Sequence, residues 1–474
     1  MRKTMDILFI EPPYKALKGI GSEHGYSVGL LNLATYLSAN GYEARVLTGN
    51  LLIDLPVTQS LTFNVSEYAA GQKLYSEALS DDSHEIWGKI ISYVNKYKPK
   101  AVGITFLTPA SELVYKIAQT IKQNSPDIKI IVGGHHPTFS PAETVKHADI
   151  DFVLRGEGEN SLLALMKELS SPSSNLQNVP GLTYIKDGKV CHNQNAKLLD
   201  DLNALPYPDR GLVLDCNFEK HRGHYISTAR GCPYSCSFCA DRGLWNNTVR
   251  RRSVEKVIEE ITYLNDNYKL DYIDIVDGTF TYDKKYVITF CKALIDLDAD
   301  IKWRCTARYD NINEELLQYM KNANCKALYF GMESGSEKIL KEYSKNTDIQ
   351  KIIDASDLVY QSGIKIITSI LIGLPQETAE DIESTLNLMG KVKTHIFDIN
   401  SYVPLPGTEL YKKMGKEQIQ NLDWNEVGYK SYTNFFSNHI SQDDLQIYLK
   451  RAYNIAEKTL NKFTSKGSWG STKQ

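Results

Sequence analysis

Short apolar runs alternate with longer segments of helical apolar spacing along nearly the whole chain, and few folds accept that order. In residues 1–165 the run "DILFIEPP" halts at Pro12 and Pro13, and "GLLNLATYLSANGY" follows with a glycine stop at Gly41. The strand-like segments "EARVLTG", "AVGITFLT", "KIIVGGHH" and "DFVLRGEGE" then alternate with the helical patterns "EIWGKIISYVNKYK" and "SELVYKIAQTIKQN". Parallel strands need a crossover of a dozen or more residues, usually a helix, so this order predicts a Rossmann-like, doubly wound α/β sheet. Ligands of such sheets sit beyond the carboxyl ends of the strands. Those ends carry Pro12 and Pro13, Thr105 to Thr108, Gly133 to His136, and Gly156 to Glu159.

Residues 166–219 read as a linker, with "SSPSSNLQNVPG" and "LPYPDRG" as loop signals. The alternation resumes in residues 220–415 through "YISTARG", "DYIDIVDG", "IKWRCTAR", "ALYFGMES", "KIITSILIGL" and "IFDINSYVP". Six strand–helix units predict a partial (β/α)6 barrel, whose chemistry belongs at the C-terminal strand ends. Residues 416–474 read as a small helical region containing "DDLQIYLKRAYNIAEKTLNKF", followed by a polar tail. A net charge of -3 lacks the basic footprint of a nucleic-acid binder, and the apolar runs are too short to span a bilayer. "MRKTMDILFIEPPYK" reads as a buried first strand, not a secretory signal. A cytoplasmic setting with reduced thiols follows as an expectation, so the eight cysteines are not read as a disulfide framework.

Three of those cysteines, Cys232, Cys236 and Cys239, fall within "HYISTARGCPYSCSFCADRG", directly after the first strand of the second block. Clustered thiolates hold zinc or an iron–sulfur cluster. Structural zinc takes four protein ligands, which would require a distant fourth partner here and would describe a zinc-stabilised binding protein. A 4Fe-4S cluster on three thiolates keeps one iron open to a substrate, by the logic that separates catalytic from structural zinc sites.

The spacing Cys-x-x-x-Cys-x-x-Cys, with Phe238 before the last cysteine, resembles the radical S-adenosylmethionine (SAM) superfamily. That resemblance implies a 4Fe-4S cluster on the three thiolates, SAM chelated at the open iron, and reductive cleavage to a 5′-deoxyadenosyl radical. It places Asp277, Gly278 and Thr279 of "DIVDGTF" where the family has its Gly-Gly-Glu contact to the SAM amine, an imperfect match. Asp277 as a helix cap is the other reading. Arg308 suits a carboxylate or a surface ion pair; Glu333 and Ser334 stand where the family binds ribose and amino acid, unless Ser334 merely caps a helix. Gly373 of "ILIGLPQET" fits the fifth-strand G-x-I-x-G-x-x-E motif loosely, and the backbone around Val403 corresponds to the adenine-facing sixth strand.

"GITFLTPA", "IIVGGHHPTF" and "DFVLRGEGEN" together resemble the cobalamin-binding domain of methylase-like radical SAM enzymes. The implied cobalamin contacts are Pro12, Pro13, Gly29, Thr105, Phe106, Leu107, Thr108, Gly133, Gly134, His135, His136, Gly156, Glu157, Gly158 and Glu159. The D-x-H-x-x-G motif that ligates cobalt elsewhere is absent, so Phe106 or Leu107 is expected at the lower face. The histidines are expected to make turn or substituent contacts. The resemblance implies a cobalamin-dependent radical SAM methyltransferase that moves a methyl group from methylcobalamin to an unactivated carbon or phosphorus centre of a small-molecule or peptide substrate. An electron donor such as flavodoxin or ferredoxin is the implied partner, with neither nucleic acid nor membrane. A cobalamin-dependent cyclase or rearranging enzyme stays open as the alternative. A tRNA-methylthiolating enzyme is disfavoured, since the first cysteine is Cys191 and no cluster ligands lie in the N-terminal block.

Overall fold

The computed structural model describes residues 5–13, 26–49, 65–216, 218, 223–420, 422–431 and 434–464. The chain divides into two compact units, Met1–His221 with two short segments near residues 405 and 422, and the remainder from Arg222 onward.

In the first unit the apolar runs are strands: β1 Ile7–Ile10, β2 Ala44–Leu47, β3 Ala101–Thr105, β4 Lys129–Gly133 and β5 Phe152–Leu154. They pair in parallel in the order β2-β1-β3-β4-β5. Strands covered on both faces read as unbroken apolar runs, which is why β1 is buried along its whole length. Helices Val28–Ala39, Glu85–Tyr97 and Ser111–Asn124 cover the sheet, each placed where its apolar spacing predicts. A helix at Val65–Ser80 also forms, in a stretch whose sequence gives only an irregular pattern.

The stretch 166–219 is more than a linker. It supplies β6 Leu182–Lys186 and β7 Lys189–His192, which extend the sheet antiparallel beyond β5. Asp187 and Gly188 form the tight turn between them at φ 51° and 72°. Asp-Gly is a strong hairpin signal because both turn residues take left-handed backbone angles that glycine accepts and aspartate tolerates.

The second unit holds six parallel strands: β8 Gly223–Ile226, β11 Tyr272–Ile275, β12 Lys302–Ala307, β13 Cys325–Glu333, β14 Lys365–Ile372 and β15 Ile396–Ser401. A two-residue antiparallel ribbon, β9 Ala229–Arg230 with β10 Arg250–Arg251, sits between the first two. Each strand of the six neighbours the one before it in sequence, and β8 and β15 form the two edges. That is a βα barrel left open. The outer strand face packs Trp303, Phe330, Ile370 and Ile399 against helices carrying Phe290, Leu317 and Leu386. Burying such side chains is the main stabilising term.

The final helix, Gln442–Thr464, belongs to this same core through Leu445, Leu449 and Ala452, so it completes the barrel unit and is not part of a separate region, while the short segment Leu422–Asn425 groups with the first unit. The expected polar tail lies outside the described residues. No helix among the described residues is long and apolar enough to cross a membrane.

Candidate active site

The end of β8 is built to launch a loop. Gly231 has φ 96°, and a Cβ there would overlap the carbonyl oxygen of Thr248, so only glycine fits the corner before Cys232. Beyond it the Cys239 amide donates to the Cys236 carbonyl at 3.1 Å, closing a turn that brings the last two cysteines together. The Ser237 amide donates to the Tyr343 carbonyl at 3.0 Å, and the Leu410 amide to the Ser237 carbonyl at 3.4 Å. Phe238 anchors the loop in an apolar cluster with Ile339, Tyr343, Leu374, Tyr402 and Leu410.

All three thiols are free. Burial pushes the Cys239 thiol up to about 12, with Asp241 and the other two cysteines adding to the rise. Burial also raises Cys236, opposed by the Lys345 and Arg308 cations beside it. Three thiols that bear electrostatically on one another, on one loop, half-shielded from water, fit a cluster whose positive irons would deprotonate them. No three His, Cys, Asp or Glu side chains among the described residues converge as a single-ion site would require. A four-iron cube seats its thiolates on separate corners, so its ligands need no common point. The three thiols on one loop therefore fit a cluster.

The residues expected around SAM gather at the C-terminal strand ends of this unit, but several are engaged by the protein itself. Gly278 lies against the loop: a Cβ there would meet Asp241 Oδ2 at 3.0 Å and Cys232 Cβ at 3.2 Å. Thr279 Oγ1 is 3.5 Å from Cys232 Sγ. Asp277 is turned the other way. Its carboxylate accepts from the Thr228 amide at 2.7 Å, the Ala229 amide at 3.0 Å and the Thr228 hydroxyl. It is a buried strut from β11 to the start of the cluster loop, neither a helix cap nor an exposed acceptor. Burial raises its carboxyl, and these donors oppose the rise.

Arg308 is 5% exposed and bonds Asp310 in a fork, at 2.9 and 2.8 Å. It also donates to the Lys345 carbonyl and Thr347, and stacks over the Tyr234 ring at 3.9 Å. It is thus a buried pair, not the surface pair considered from sequence. Glu333 holds φ 64° where the β13–β14 register shifts, and pairs with Lys345 at 3.1 Å. Ser334 contacts Thr385 at 3.1 Å; Ser336, two residues on, is the helix cap. Gly373, at φ 90°, donates its amide to Glu377 at 2.8 Å, which makes the motif's acid one position later than expected. Val403 is buried just past β15. Sequence reasoning overlooked Tyr234, Lys345 and Glu377. Tyr234 sits inside the cysteine loop and Glu377 inside the quoted "ILIGLPQET", so two of the three were in view.

In the first unit, Pro12 and Pro13 follow β1 and are pressed by Gly49, where a Cβ would lie 2.8 Å from the Pro13 backbone. Gly134 has φ 96°, and a Cβ there would strike the Thr105 hydroxyl, so β3 and β4 end in close contact. Thr108 Oγ1 lies 3.0 Å from His136 Nδ1, and the Phe106 ring packs 5.2 Å from that imidazole. Burial lowers both His135 and His136 to about 4, so both are neutral at pH 7. The two ring nitrogens of His135 and Nε2 of His136 are buried without hydrogen-bond partners. Phe106 is buried, whereas Leu107 is 40% exposed at the strand end. Gly156 has φ 77° and donates its amide to Thr138 at 3.0 Å. Glu157 accepts from the Leu199 amide at 2.6 Å, and Glu159 is buried at the start of helix Glu159–Leu169. Gly158 lies against Leu33, and Gly29 stands open in the first helical turn. Orphaned imidazole nitrogens and glycine-walled strand ends fit a large, amide-rich ligand such as cobalamin.

Residues 226–389 match the radical SAM superfamily and residues 22–166 match the B12 binding domain. The chain therefore carries a B12-binding domain followed by a radical SAM domain, and it is a cobalamin-dependent radical SAM enzyme with SAM, a 4Fe-4S cluster and cobalamin as its cofactors. It is 28% identical to an uncharacterized methyltransferase of Pyrococcus horikoshii over 95% of this chain and 92% of that protein. It is 27% identical to the anaerobic magnesium-protoporphyrin IX monomethyl ester cyclase of Rubrivivax gelatinosus, over 90% and 72%. The radical SAM methyltransferase TsrM of Kitasatospora setae shares the fold, with TM-score 0.66 at 16% identity over 85% of this chain and 74% of that one.

Proposed function

We propose that the chain is a methyltransferase, placing a methyl group on an unactivated carbon or phosphorus centre of a small-molecule or peptide substrate. The observation that carries this is the three-thiol loop at the end of β8, in a chain that also holds a B12-type domain and is similar over 95% of its length to a methyltransferase. Bound cluster, SAM and cobalamin supply radical and methyl-donor chemistry that carboxylates and imidazoles cannot, since such C–H bonds are too weakly acidic for them. The protein's own share is to hold and shield. Gly231 and Gly278 let the backbone crowd Cys232, Asp277 braces the loop, and the apolar cluster around Phe238 anchors it.

Anaerobically reconstituted protein, supplied with SAM, cobalamin and a reductant, is incubated with candidate substrates. Methylated product with both S-adenosylhomocysteine and 5′-deoxyadenosine is the expected outcome. Deoxyadenosine and a rearranged or cyclised product without S-adenosylhomocysteine supports the second reading, which the similarity to the cyclase favours. SAM turnover that persists in Cys236→Ala overturns both.

A further inference from the structure

In a closed eight-stranded barrel, bulky branched side chains fill the interior. Here the inner face is different. Toward the C-terminal ends of β12, β13 and β15 alternate residues are partly exposed, namely Arg304, Thr306, Tyr329, Gly331, Glu333, Asp398 and Asn400. Of the two carboxylates nearest those ends, Glu333 is held by Lys345 and is the less exposed, at 15%. Near the floor Arg304 Nε bonds Asp274 at 2.9 Å. Closer to the C-terminal ends, Asp398 accepts from Tyr329, from Asn400 Nδ2 at 3.2 Å and from Lys430, while Asn400 also donates to Ser369 at 3.2 Å.

Lys430 arrives from outside the strand series. Its segment is fixed to the end of β15, where the Ser401 amide donates to the Tyr429 carbonyl at 2.7 Å and Asn434 Nδ2 to the Tyr402 carbonyl at 2.9 Å. Tyr429, the adjacent residue, lies close enough to Cys239 and Asp241 for their charges to act on its phenol. The segment thus spans from the cluster loop to Asp398.

A buried ion pair is seldom more stabilising than apolar packing of the same volume. The side chain of Asp398 nevertheless remains 27% exposed and that of Lys430 15%. The carboxylate is the more accessible partner, and three donors already hold it ionised. Burial favours its neutral form, but Lys430, Tyr329 and Asn400 outweigh that and keep the carboxyl below its usual range.

Resting on the methyltransferase reading above, we infer that Asp398, oriented by Lys430, Tyr329 and Asn400, is the specificity-determining acceptor for the substrate, and that the substrate presents a protonated amine to it. An ammonium gains a charge-assisted bond there that a neutral amide cannot match.

The test is binding to the cluster- and cobalamin-loaded full chain, read as a thermal shift and by titration. The probes are free amino acids, amino sugars and polyamines, each beside its N-acetylated counterpart. At least one amine class is expected to raise Tm while its acetylated partner does not. Asp398→Asn is expected to weaken that amine roughly tenfold or more, the loss of a hydrogen bond to a charged group, with iron content unchanged. Tyr329→Phe removes one donor, leaves the carboxylate, and is expected to retain the preference for the free amine, which keeps the test valid if the Asn variant fails to fold. No amine shift in any class, equal shifts from acetylated probes, or undiminished binding in Asp398→Asn each overturns the inference. The readout involves no turnover, so its failure is distinct from failure to find methylated product.

Discussion

Replacing Asp277 separates its role as a strut, shown by its contacts with Thr228 and Ala229, from the SAM-amine contact that its place at the end of β11 implies by resemblance. If the carboxylate is the strut described above, Asp277→Ala leaves the buried Thr228 and Ala229 amides without their acceptor. A buried unsatisfied donor costs roughly 1–3 kcal/mol, and the desolvation that the carboxylate itself suffers offsets part of the loss, so about 2–4 kcal/mol is expected. That is a large share of the ~5–15 kcal/mol by which domains are stable. Asp277→Asn keeps an oxygen for the amides and an N–H for the Thr228 hydroxyl, so it should cost about 1 kcal/mol, the worth of a charge-assisted over a neutral bond. Urea unfolding of the apo chain measures both, and iron content after reconstitution reports on the loop, which begins at Gly231, two residues past Ala229. The Ala variant should lose stability and iron together. The Asn variant should bind SAM as the parent does. If Asp277→Asn weakens SAM tenfold or more while the unfolding midpoint stays put, the carboxylate serves the ligand and the strut is refuted.

Gly231→Ala should prevent cluster assembly outright, since the added carbon collides with the Thr248 backbone at a φ of 96° that L side chains rarely adopt; iron per chain after reconstitution decides it. Lys345→Met strands Glu333 in a nearly buried place and should cost several kcal/mol, of which Glu333→Gln in the same chain restores a substantial part, as a double-mutant cycle would show. Glu377 is raised by burial to about 8 from 4.5, so its contribution to stability is full below the lower value and is lost as pH climbs through the upper one. Glu377→Gln keeps an acceptor for the Gly373 amide and should flatten the alkaline side of a Tm–pH curve; an unchanged curve refutes the assignment. His135 and His136 run the opposite way: their folded values near 4 lie below the ordinary 6.5, so their stabilisation is complete above 6.5 and fades as pH falls toward 4. His135→Phe should soften that acid limb in the apo chain.

The strand order was legible because each parallel strand is an unbroken apolar run and each crossover has helical spacing. What stayed hidden was of two kinds. The β6–β7 hairpin was written in the sequence as Asp187-Gly188, but the flanking polar residues made the region look like linker, since β7 is an edge strand with only half-buried or exposed positions. The roles of Asp277 and Arg308 were not written locally at all. Asp277 meets Thr228 49 positions away, and Arg308 meets Thr347 39 positions away, so a motif can fix where a side chain sits in the fold without fixing which way it points. Ser334 and Ser336 make the same point at short range: either serine suits a cap, and the choice falls to the one whose hydroxyl reaches the Ile339 amide.

The division between shared and particular chemistry also follows from where the residues lie. The radical SAM match ends at residue 389, before β15 and before the segment that carries Lys430. The three thiols themselves, with Gly231 and Gly278, lie inside that match, although Tyr402 and Leu410, which help to anchor their loop, lie beyond it. Asp398, Asn400 and Lys430 lie beyond it, yet point onto the inner face of the same strands. A side chain on that face is free to change without disturbing the outer core, because alternate residues of a strand face opposite sides. Specificity can therefore be rewritten at Tyr329, Asp398 and Asn400 while Phe330, Phe397 and Ile399 go on holding the barrel together. Exchanging the inner-face residues should alter which molecule binds before it alters how well the unit folds.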